Sequence, residues 1–285
     1  MSANNRDRLM VGANFLGLFA IIFGPLIIYP LAGLAWLSIR TKDGNVSLAP
    51  FAHFFSDAQS IAIVRTSLEI VIASAGLAST IGVILAALLF YLPFRGSPTL
   101  VRLMELFVAF PSFLVAFTLT FLYGTQGSVN VFLVDSLHLS RPPIDFLYGF
   151  GGIVFAQMIY YIPFVVRPTL TALTLIDERV VEAARSLGAS PLMVAWRVVL
   201  PLALPGIVAG SILCFLFIMN EFGILLVLGS AKLVTLPIAI YSAATIDLDL
   251  QTASTQAVVM LVASLSVFVV YRRVARSGSR SYTRG

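Results

Sequence analysis

The sequence predicts an all-α membrane protein with six transmembrane helices. Of its 285 residues, 59% are hydrophobic and only 11% are charged, whereas a soluble domain carries roughly 25% charged residues. The mean hydropathy is +0.98. A helix needs about 20 apolar residues to cross about 30 Å of hydrocarbon. Stretches close to or above that length lie at residues 11–37, 68–91, 103–123, 150–166, 202–228 and 255–271.

The individual stretches differ in character. The first follows Arg6 and Arg8, as a signal peptide would, but its apolar run is too long for one, so we interpret it as an uncleaved helix. The fourth is the shortest and most polar. The segment 129–137 is too short to cross the membrane and contains Asp135, so we expect a short helix at the membrane surface.

The basic residues predict the orientation of the chain. Six spans place both termini on the same side of the membrane. If that side is the cytoplasm, thirteen of the 18 Lys and Arg residues lie in cytoplasmic segments and five lie outside. This bias follows the positive-inside rule, so we predict that both termini are cytoplasmic. It also accounts for the formal net charge of +5 without a nucleic-acid partner.

Small residues recur at four-residue intervals in two of the predicted spans. Ala78, Gly82 and Ala86 share one face of the second span, and Gly206 and Gly210 share one face of the fifth. Helices in lipid approach closely along such faces because no large side chain intervenes. We predict packing within the chain, and contact with another subunit is the alternative.

The sequence lacks the residues that several classes of active site require. The chain has one cysteine, Cys214, and its two histidines, His53 and His138, are far apart. It has no G-x-x-x-x-G-K-[ST] phosphate loop. It also has no Ser-His-Asp or paired-carboxylate constellation. We therefore expect no catalytic activity, no metal site and no cofactor in this chain.

The loop between the fourth and fifth spans, residues 174–201, has an ordered pattern. Residues 177–187 are good helix formers that begin with acidic groups, as the helix dipole favours. Gly188 is expected to end this helix in a left-handed conformation, and Ser190 and Pro191 to begin a second one. The helical period predicts one apolar face, formed by Val180, Ala183, Ala184 and Leu187. This face could rest on lipid headgroups or dock a soluble partner.

The same loop resembles the EAA signature of ABC importer permeases. The matching residues, with valine at 198 in place of the usual isoleucine, are Glu182, Ala183, Ala184, Gly188, Val198, Leu200 and Pro201. The resemblance implies a MetI-like permease fold over residues 1–285 in a bacterial inner membrane. It implies that the loop is a coupling helix, docked in a groove of ABC ATPase subunits that bind the ATP and Mg²⁺. It further implies a second permease copy or paralogue and an extracytoplasmic substrate-binding protein.

Further motifs are similar to those of 2-aminoethylphosphonate permeases. They are Phe110-Pro111-Ser112-Phe113, Phe121-Leu122-Tyr123-Gly124, residues 142–148 and Asn220-Glu221-Phe222-Gly223. This similarity implies 2-aminoethylphosphonate as the solute. Related permeases for sulfate, molybdate, iron and polyamines share the plan and remain alternatives. A secondary transporter driven by an ion gradient would normally show inverted repeats and several midplane charges, and the sequence shows neither.

A small zwitterion with excess negative charge needs a pathway that is polar but not strongly acidic. The candidate lining residues are Ser112, Thr118, Gln157, Tyr161, Asn220 and Glu221. Glu221 is the one acidic residue well inside an apolar run. We expect it either to meet the ammonium end of the solute or to make a structural hydrogen bond. A polyamine would require more acidic residues in the spans.

Overall fold

The computed structural model describes residues 3–41, 44–229 and 233–282, and most of these residues are helical. Three of the basic residues used to predict orientation, Lys42, Lys232 and Arg284, lie outside the described residues. The helices are α1 (Ala3–Ile39), α2 (Ala49–Ser56), α3 (Ala58–Tyr91), α4 (Ser97–Val108), α5 (Ser112–Tyr123), α6 (Ser128–Leu137), α7 (Phe150–Thr174), α8 (Glu178–Ser186), α9 (Pro191–Val194), α10 (Leu200–Met219), α11 (Gly223–Leu228), α12 (Leu236–Thr245) and α13 (Leu250–Tyr282). A π-helical turn, Ala195–Val199, joins α9 to α10.

Four helical segments in the described part of the chain are long and apolar enough to cross a membrane. They are Ala58–Tyr91, Phe150–Thr174, Pro191–Met219 and Leu250–Ala275. The first, second and fourth of these cover the predicted stretches 68–91, 150–166 and 255–271. The apolar helical segment found in α1, Phe23–Ile39, is shorter than these four.

The third predicted stretch is not one continuous helix. The span predicted over 103–123 is broken at Pro111: α4 ends at Val108, α5 begins only at Ser112, and the segments Ser97–Val108 and Ser112–Leu137 are bent by 103° relative to each other. Pro111 has no N–H to donate and disfavours helical backbone at Phe110. The hydroxyl of Tyr160 in α7 donates to the carbonyl oxygen of Phe110 at 2.9 Å, which satisfies a backbone group at the break.

The fifth predicted stretch is also interrupted. Helical structure begins earlier than predicted, at Pro191, and α10 ends at Met219, so the expectation of one helix over 202–228 is wrong at its C-terminal end. Asn220, Glu221 and Phe222 form a short non-helical segment before α11 begins at Gly223. Each of the two broken stretches therefore contains a few residues with irregular backbone inside an apolar run.

The chain divides into two compact units, and the smaller comprises Met1–Ile61 with Ala239–Leu261. In this unit, Arg40 and Val46 form an isolated antiparallel bridge after α1. The side-chain amide of Gln251 donates to the carbonyl oxygen of Arg40 at 2.6 Å. The start of α13 is thereby bonded to the end of α1 within this unit.

The larger unit, Ala62–Ile238 with Val262–Gly285, has α7 at its centre. The core around α7 contains residues from α3, α5, α10 and α11, among them Ile70, Leu119, Ile153, Ile218 and Ile224. The prediction that the small residues pack within the chain is confirmed. A Cβ atom on Gly206 would lie 2.4 Å from Cβ of Ala172, and Ala78 and Ala86 are fully buried.

Candidate functional site

The predicted loop forms an exposed elbow, which we define as residues 177–199. Asp177 caps α8 by accepting a hydrogen bond from the backbone N–H of Arg179 at 2.9 Å. Gly188 follows α8 with φ of +84°, a conformation that glycine adopts without steric cost. Ser190 then caps α9, its Oγ accepting from the N–H of Met193 at 3.3 Å, and Pro191 is the first residue of α9. The helix, turn and second helix predicted from the sequence are all present.

One of the four residues predicted to form the apolar face of α8, Ala184, lies on the other side of the helix. Val181 and Ala184 pack inward, against a buried cluster that includes Leu173, Val194 and Val199. Val180, Ala183 and Leu187 are exposed instead, and Leu187 is 90% exposed. Ala189, which follows the turn at Gly188, packs against the same cluster. The exposed apolar side chains therefore lie on the outer surface of the elbow.

The residues of the EAA signature divide between exposed positions and the inner cluster. Glu182, Ala183, Gly188 and Pro201 are exposed, while Ala184 and Val198 pack against the inner cluster and Leu200 is half-buried. The ion pairs found in the described part of the chain join Arg65 to Glu69 and Arg167 to Glu105. The carboxylate of Glu182 has no cationic partner among the described residues.

A groove of about 760 Å³ lies under the elbow. The end of α3, at Phe90 and Tyr91, forms one wall, and α8 and α9 form the other. Three charged side chains of α8 line it, namely Glu178, Glu182 and Arg185. The elbow therefore presents a mixed-charge groove on its inner side and apolar side chains on its outer side.

Three of the predicted pathway residues meet in one hydrogen-bonded cluster in the larger unit. The Oγ of Ser112 donates to Oε1 of Glu221 at 2.8 Å, and the hydroxyl of Tyr161 donates to Oε2 of the same carboxylate. The backbone N–H of Ile224 also donates to Oε1, at 2.8 Å. Glu221 is only 5% exposed. We call these four groups the carboxylate cluster. In this conformation both carboxylate oxygens accept hydrogen bonds from within the chain. This matches the second of the two expectations for Glu221, a structural hydrogen bond.

The other three predicted pathway residues lie in different environments. Thr118 is exposed and its hydroxyl donates to the carbonyl oxygen of Leu114. Asn220 is exposed and contacts Leu216 and Ser264 through hydrogen bonds. Gln157 is fully buried, and neither polar atom of its side-chain amide has a hydrogen-bond partner among the residues that the structure describes. A buried amide without a partner is costly to the fold.

Asn130 was not recognised from the sequence. Its side chain is fully buried, donates to the carbonyl oxygens of Gly124 and Ile144 at 2.8 Å, and accepts from the N–H of Ile144 at 3.0 Å. These bonds connect α6 to Gly124, which precedes it, and to Ile144, which follows it. The available signal was an asparagine inside the apolar 129–137 segment, next to one of the motifs shared with phosphonate permeases. The described residues contain no group of three or more His, Cys, Asp or Glu side chains that could hold a metal ion.

The family described as "Binding-protein-dependent transport system inner membrane component" matches residues 78–279. The chain belongs to this family. It is a permease component of an ABC importer and a multi-pass protein of a bacterial inner membrane. The matched region contains the elbow and the carboxylate cluster.

Two permeases from other bacteria are similar to this chain in sequence over most of their length. A protein of Salmonella choleraesuis (strain SC-B67), named for 2-aminoethylphosphonate transport as PhnU, is 35% identical over 262 residues, which are 92% of each chain. The spermidine/putrescine transport system permease protein PotC of Escherichia coli (strain K12) is 25% identical over 283 residues, which are 97% of each chain.

Solved structures share the fold of the permease. A chain from the crystal structure of a bacterial ABC transporter involved in the import of the acidic polysaccharide alginate superposes with a TM-score of 0.77 and 18% sequence identity, covering 97% of this chain and 99% of that chain. A second structure of a bacterial alginate ABC transporter, with a pentasaccharide-bound periplasmic protein, gives a TM-score of 0.76 at 18% identity, covering 96% of each chain. At these identities the likeness establishes the fold alone.

Proposed function

We propose that this permease carries 2-aminoethylphosphonate into the cell, driven by ATP that a separate subunit hydrolyses. The observation that carries the choice of solute is the 35% identity, over 92% of both chains, to the relative named for this solute. The proposal gives the chain itself no catalytic role and no cofactor. ATP and Mg²⁺ belong to the ATPase subunits.

The proposed topology has six spans in a single MetI-like permease domain, with both termini in the cytoplasm. The four long apolar segments supply four spans, and α1 and the bent pair of α4 and α5 to α6 supply the other two. The excess of Lys and Arg in the segments assigned to the cytoplasm supports this orientation. It places the elbow on the cytoplasmic side, where an ATPase can reach it.

The elbow is the proposed coupling element. Its exposed apolar side chains include Val180 and Leu187 of the outer surface and Trp196 of the π-helical turn. Apolar groups exposed together beside polar ones are typical of a docking surface. The carboxylate of Glu182 is available to pair with a basic group of the ATPase. Small Ala183 allows a close approach, and Gly188 sets the turn that presents both helices.

The proposed solute pathway runs past the six polar residues named from the sequence. Thr118 and Asn220 are the two exposed members of this set, Ser112 is half-buried, and Gln157, Tyr161 and Glu221 are buried. A second permease copy or paralogue would enclose the pathway, lipid would cover the remaining apolar surface, and an extracytoplasmic binding protein would deliver the solute. The binding-protein dependence in the family's description supports the last of these partners.

A polyamine is the second candidate solute, because the spermidine and putrescine permease PotC is also a relative. Binding several ammonium groups requires available carboxylates. Within α3 and α4, Glu69 and Glu105 are paired with arginines, and Glu221 is bonded to three donors. This arrangement favours a zwitterion with excess negative charge over a polycation.

The deciding experiment measures uptake of labelled 2-aminoethylphosphonate by cells that lack the gene. The cells receive the native chain, Gly188→Val or Gly188→Asn at matched expression, and unlabelled putrescine serves as competitor. Valine cannot readily adopt the positive φ of position 188, whereas asparagine tolerates it. We expect uptake with the native chain and with Gly188→Asn, loss of uptake with Gly188→Val, and no competition by putrescine.

If putrescine competes, or is taken up in place of the phosphonate, the solute is a polyamine. Equal uptake by Gly188→Val and Gly188→Asn would refute the role of the elbow while leaving the solute assignment intact. The two parts of the proposal therefore fail separately.

A further inference from the structure

The carboxylate cluster joins the two places where helices in the apolar core are broken. Ser112 is the first residue of α5, immediately after the break at Pro111. Glu221 lies within the break between α10 and α11. One hydrogen bond of 2.8 Å therefore connects two irregular segments that are 109 residues apart in the sequence.

The third element of the cluster is α7. The hydroxyl of Tyr161 bonds the second carboxylate oxygen, while the preceding tyrosine, Tyr160, bonds the carbonyl oxygen of Phe110 at the first break. Two adjacent side chains of α7 are thus bonded to the two breaks. The close contact continues at Gly223, where an added Cβ atom would lie 2.7 Å from Oγ of Ser112 and 3.1 Å from the backbone nitrogen of Phe113.

The bonding pattern explains why a carboxylate is needed at position 221. All three neighbours donate hydrogen bonds, and a carboxylate has only acceptors. An amide has only one oxygen and no charge, so it could keep all three contacts only if the hydroxyl of Ser112 or Tyr161 turned to accept from its N–H group. Leaving buried groups of this kind unpaired is costly, and a hydrogen bond to a charged group contributes more than a neutral one.

Burial of the side chain, together with these three bonds, keeps a solute from the carboxylate in this conformation. Both oxygens are bonded within the chain, and the side chain is buried. A solute ammonium group could reach it only by displacing Ser112 or Tyr161 and separating the two breaks. The exposed neighbour Asn220 is the polar group of this segment that a solute can reach directly.

We propose that Glu221 is a positioning residue for transport, whose carboxylate fastens the α10–α11 break to the start of α5 and to α7, so that these elements change position together. It does not bind the solute. The proposal rests on membership in the permease family and goes beyond the choice of solute, because the bonds that carry it lie within this chain.

The test is a pair of double-mutant cycles in the assembled transporter, with its ATPase and binding protein. The first cycle combines Glu221→Gln with Tyr161→Phe, which removes a bond to the same carboxylate. The second combines Glu221→Gln with the matched control Tyr160→Phe, which removes a bond to Phe110 instead. Maximal uptake rate and half-saturating concentration are measured with 2-aminoethylphosphonate. Hydrolysis of ATP in response to the binding protein is measured in parallel.

We expect Glu221→Gln to lower the maximal uptake rate about tenfold at an unchanged half-saturating concentration, the pattern of a group that does not contact the solute. Tyr161→Phe should add little to Glu221→Gln, because both break one bond, whereas Tyr160→Phe should add its full effect. A raised half-saturating concentration with an unchanged maximal rate would overturn the proposal. So would additive effects in the first cycle.

Two further readouts keep the proposal testable if the simplest assay fails. If Glu221→Gln does not assemble, Tyr161→Phe alone carries the same expectation for rate and half-saturation, with Tyr160→Phe as control. If the native transporter takes up no 2-aminoethylphosphonate, the solute assignment fails, and the cycles are read from ATP hydrolysis. Non-additivity confined to the Tyr161 cycle supports the positioning role, and its absence refutes it.

Discussion

Gly82 of α3 lies so close to Val165 of α7 that a Cβ atom on the glycine would be only 2.8 Å from Cβ of the valine. Real Cβ atoms do not approach this closely, so the contact exists only because position 82 has no side chain. Gly76, one and a half turns earlier in the same helix, has open space around its missing Cβ atom. The two glycines of α3 therefore have different roles.

This difference predicts opposite outcomes for one substitution. Gly82→Ala should lower the free energy of unfolding by about 1–3 kcal/mol, because it forces α3 and α7 apart. Gly76→Ala should leave it unchanged or raise it by up to about 1 kcal/mol, since alanine favours the helix. Thermal unfolding of the purified permease in detergent measures both. Equal effects of the two substitutions would show that the close contact contributes little.

The unpaired amide of Gln157 predicts a substitution that stabilises the fold. Gln157→Leu removes a buried polar group without a partner and should raise the free energy of unfolding by about 1–3 kcal/mol. The matched control is Gln251→Leu, because that amide donates to the carbonyl oxygen of Arg40. The control should lower stability in the same unfolding assay. If Gln157 serves the pathway, uptake falls while stability rises, and a decrease in both would contradict this prediction.

The three hydrogen bonds of Asn130 predict a local loss of order on substitution. Asn130→Ala should cost about 3 kcal/mol, since it removes both bonds to the backbone of Ile144 and one of the two bonds to the carbonyl oxygen of Gly124. Hydrogen exchange at residues 124–131 and 142–146 should accelerate. Asn220→Ala, at an exposed asparagine, is the comparison and should change exchange little in these segments. Unchanged exchange in Asn130→Ala would mean that the loop is held by other contacts.

The two faces of α8 predict that one substitution impairs docking of the ATPase and another impairs the stability of the fold. Leu187 is exposed and Val181 packs against the inner cluster. Leu187→Asp should leave thermal stability unchanged but reduce copurification of the ATPase about tenfold or more, because it places a charge in the proposed interface. Val181→Asp should lower the unfolding temperature instead. Retained copurification in Leu187→Asp would refute the outer surface as the docking site.

The elbow was predictable from the sequence because its determinants are local. Asp177, Gly188 and Ser190 each act on backbone within three residues, through a cap or a positive φ. Such signals do not depend on the rest of the fold. The inner and outer faces of α8 were less predictable, because the cluster that covers the inner face includes residues outside α8, such as Leu173 and Val199.

The helix breaks were not predictable from apolar length. Hydropathy measures whether a stretch belongs in lipid, and it is equally high on both sides of Pro111 and of Glu221. A break is tolerated there only when other groups bond the freed backbone, and those groups are distant in the sequence. Tyr160 lies 50 residues from Phe110, and Tyr161 lies 60 residues from Glu221. Pro111 is a local signal for the first break, but no local pattern identifies these distant partners.

The only cysteine of the chain, Cys214, is 0% exposed, and its thiol faces the carbonyl oxygen of Tyr161 at 3.9 Å. Thiol reagents in water or lipid therefore reach no native thiol group of the folded permease. The natural sequence can serve as its own background for fluorescent or spin labelling, without first removing a cysteine from the core. Labels introduced through Leu187→Cys and Thr118→Cys would then report the movements of the elbow and of the pathway in an otherwise unaltered transporter.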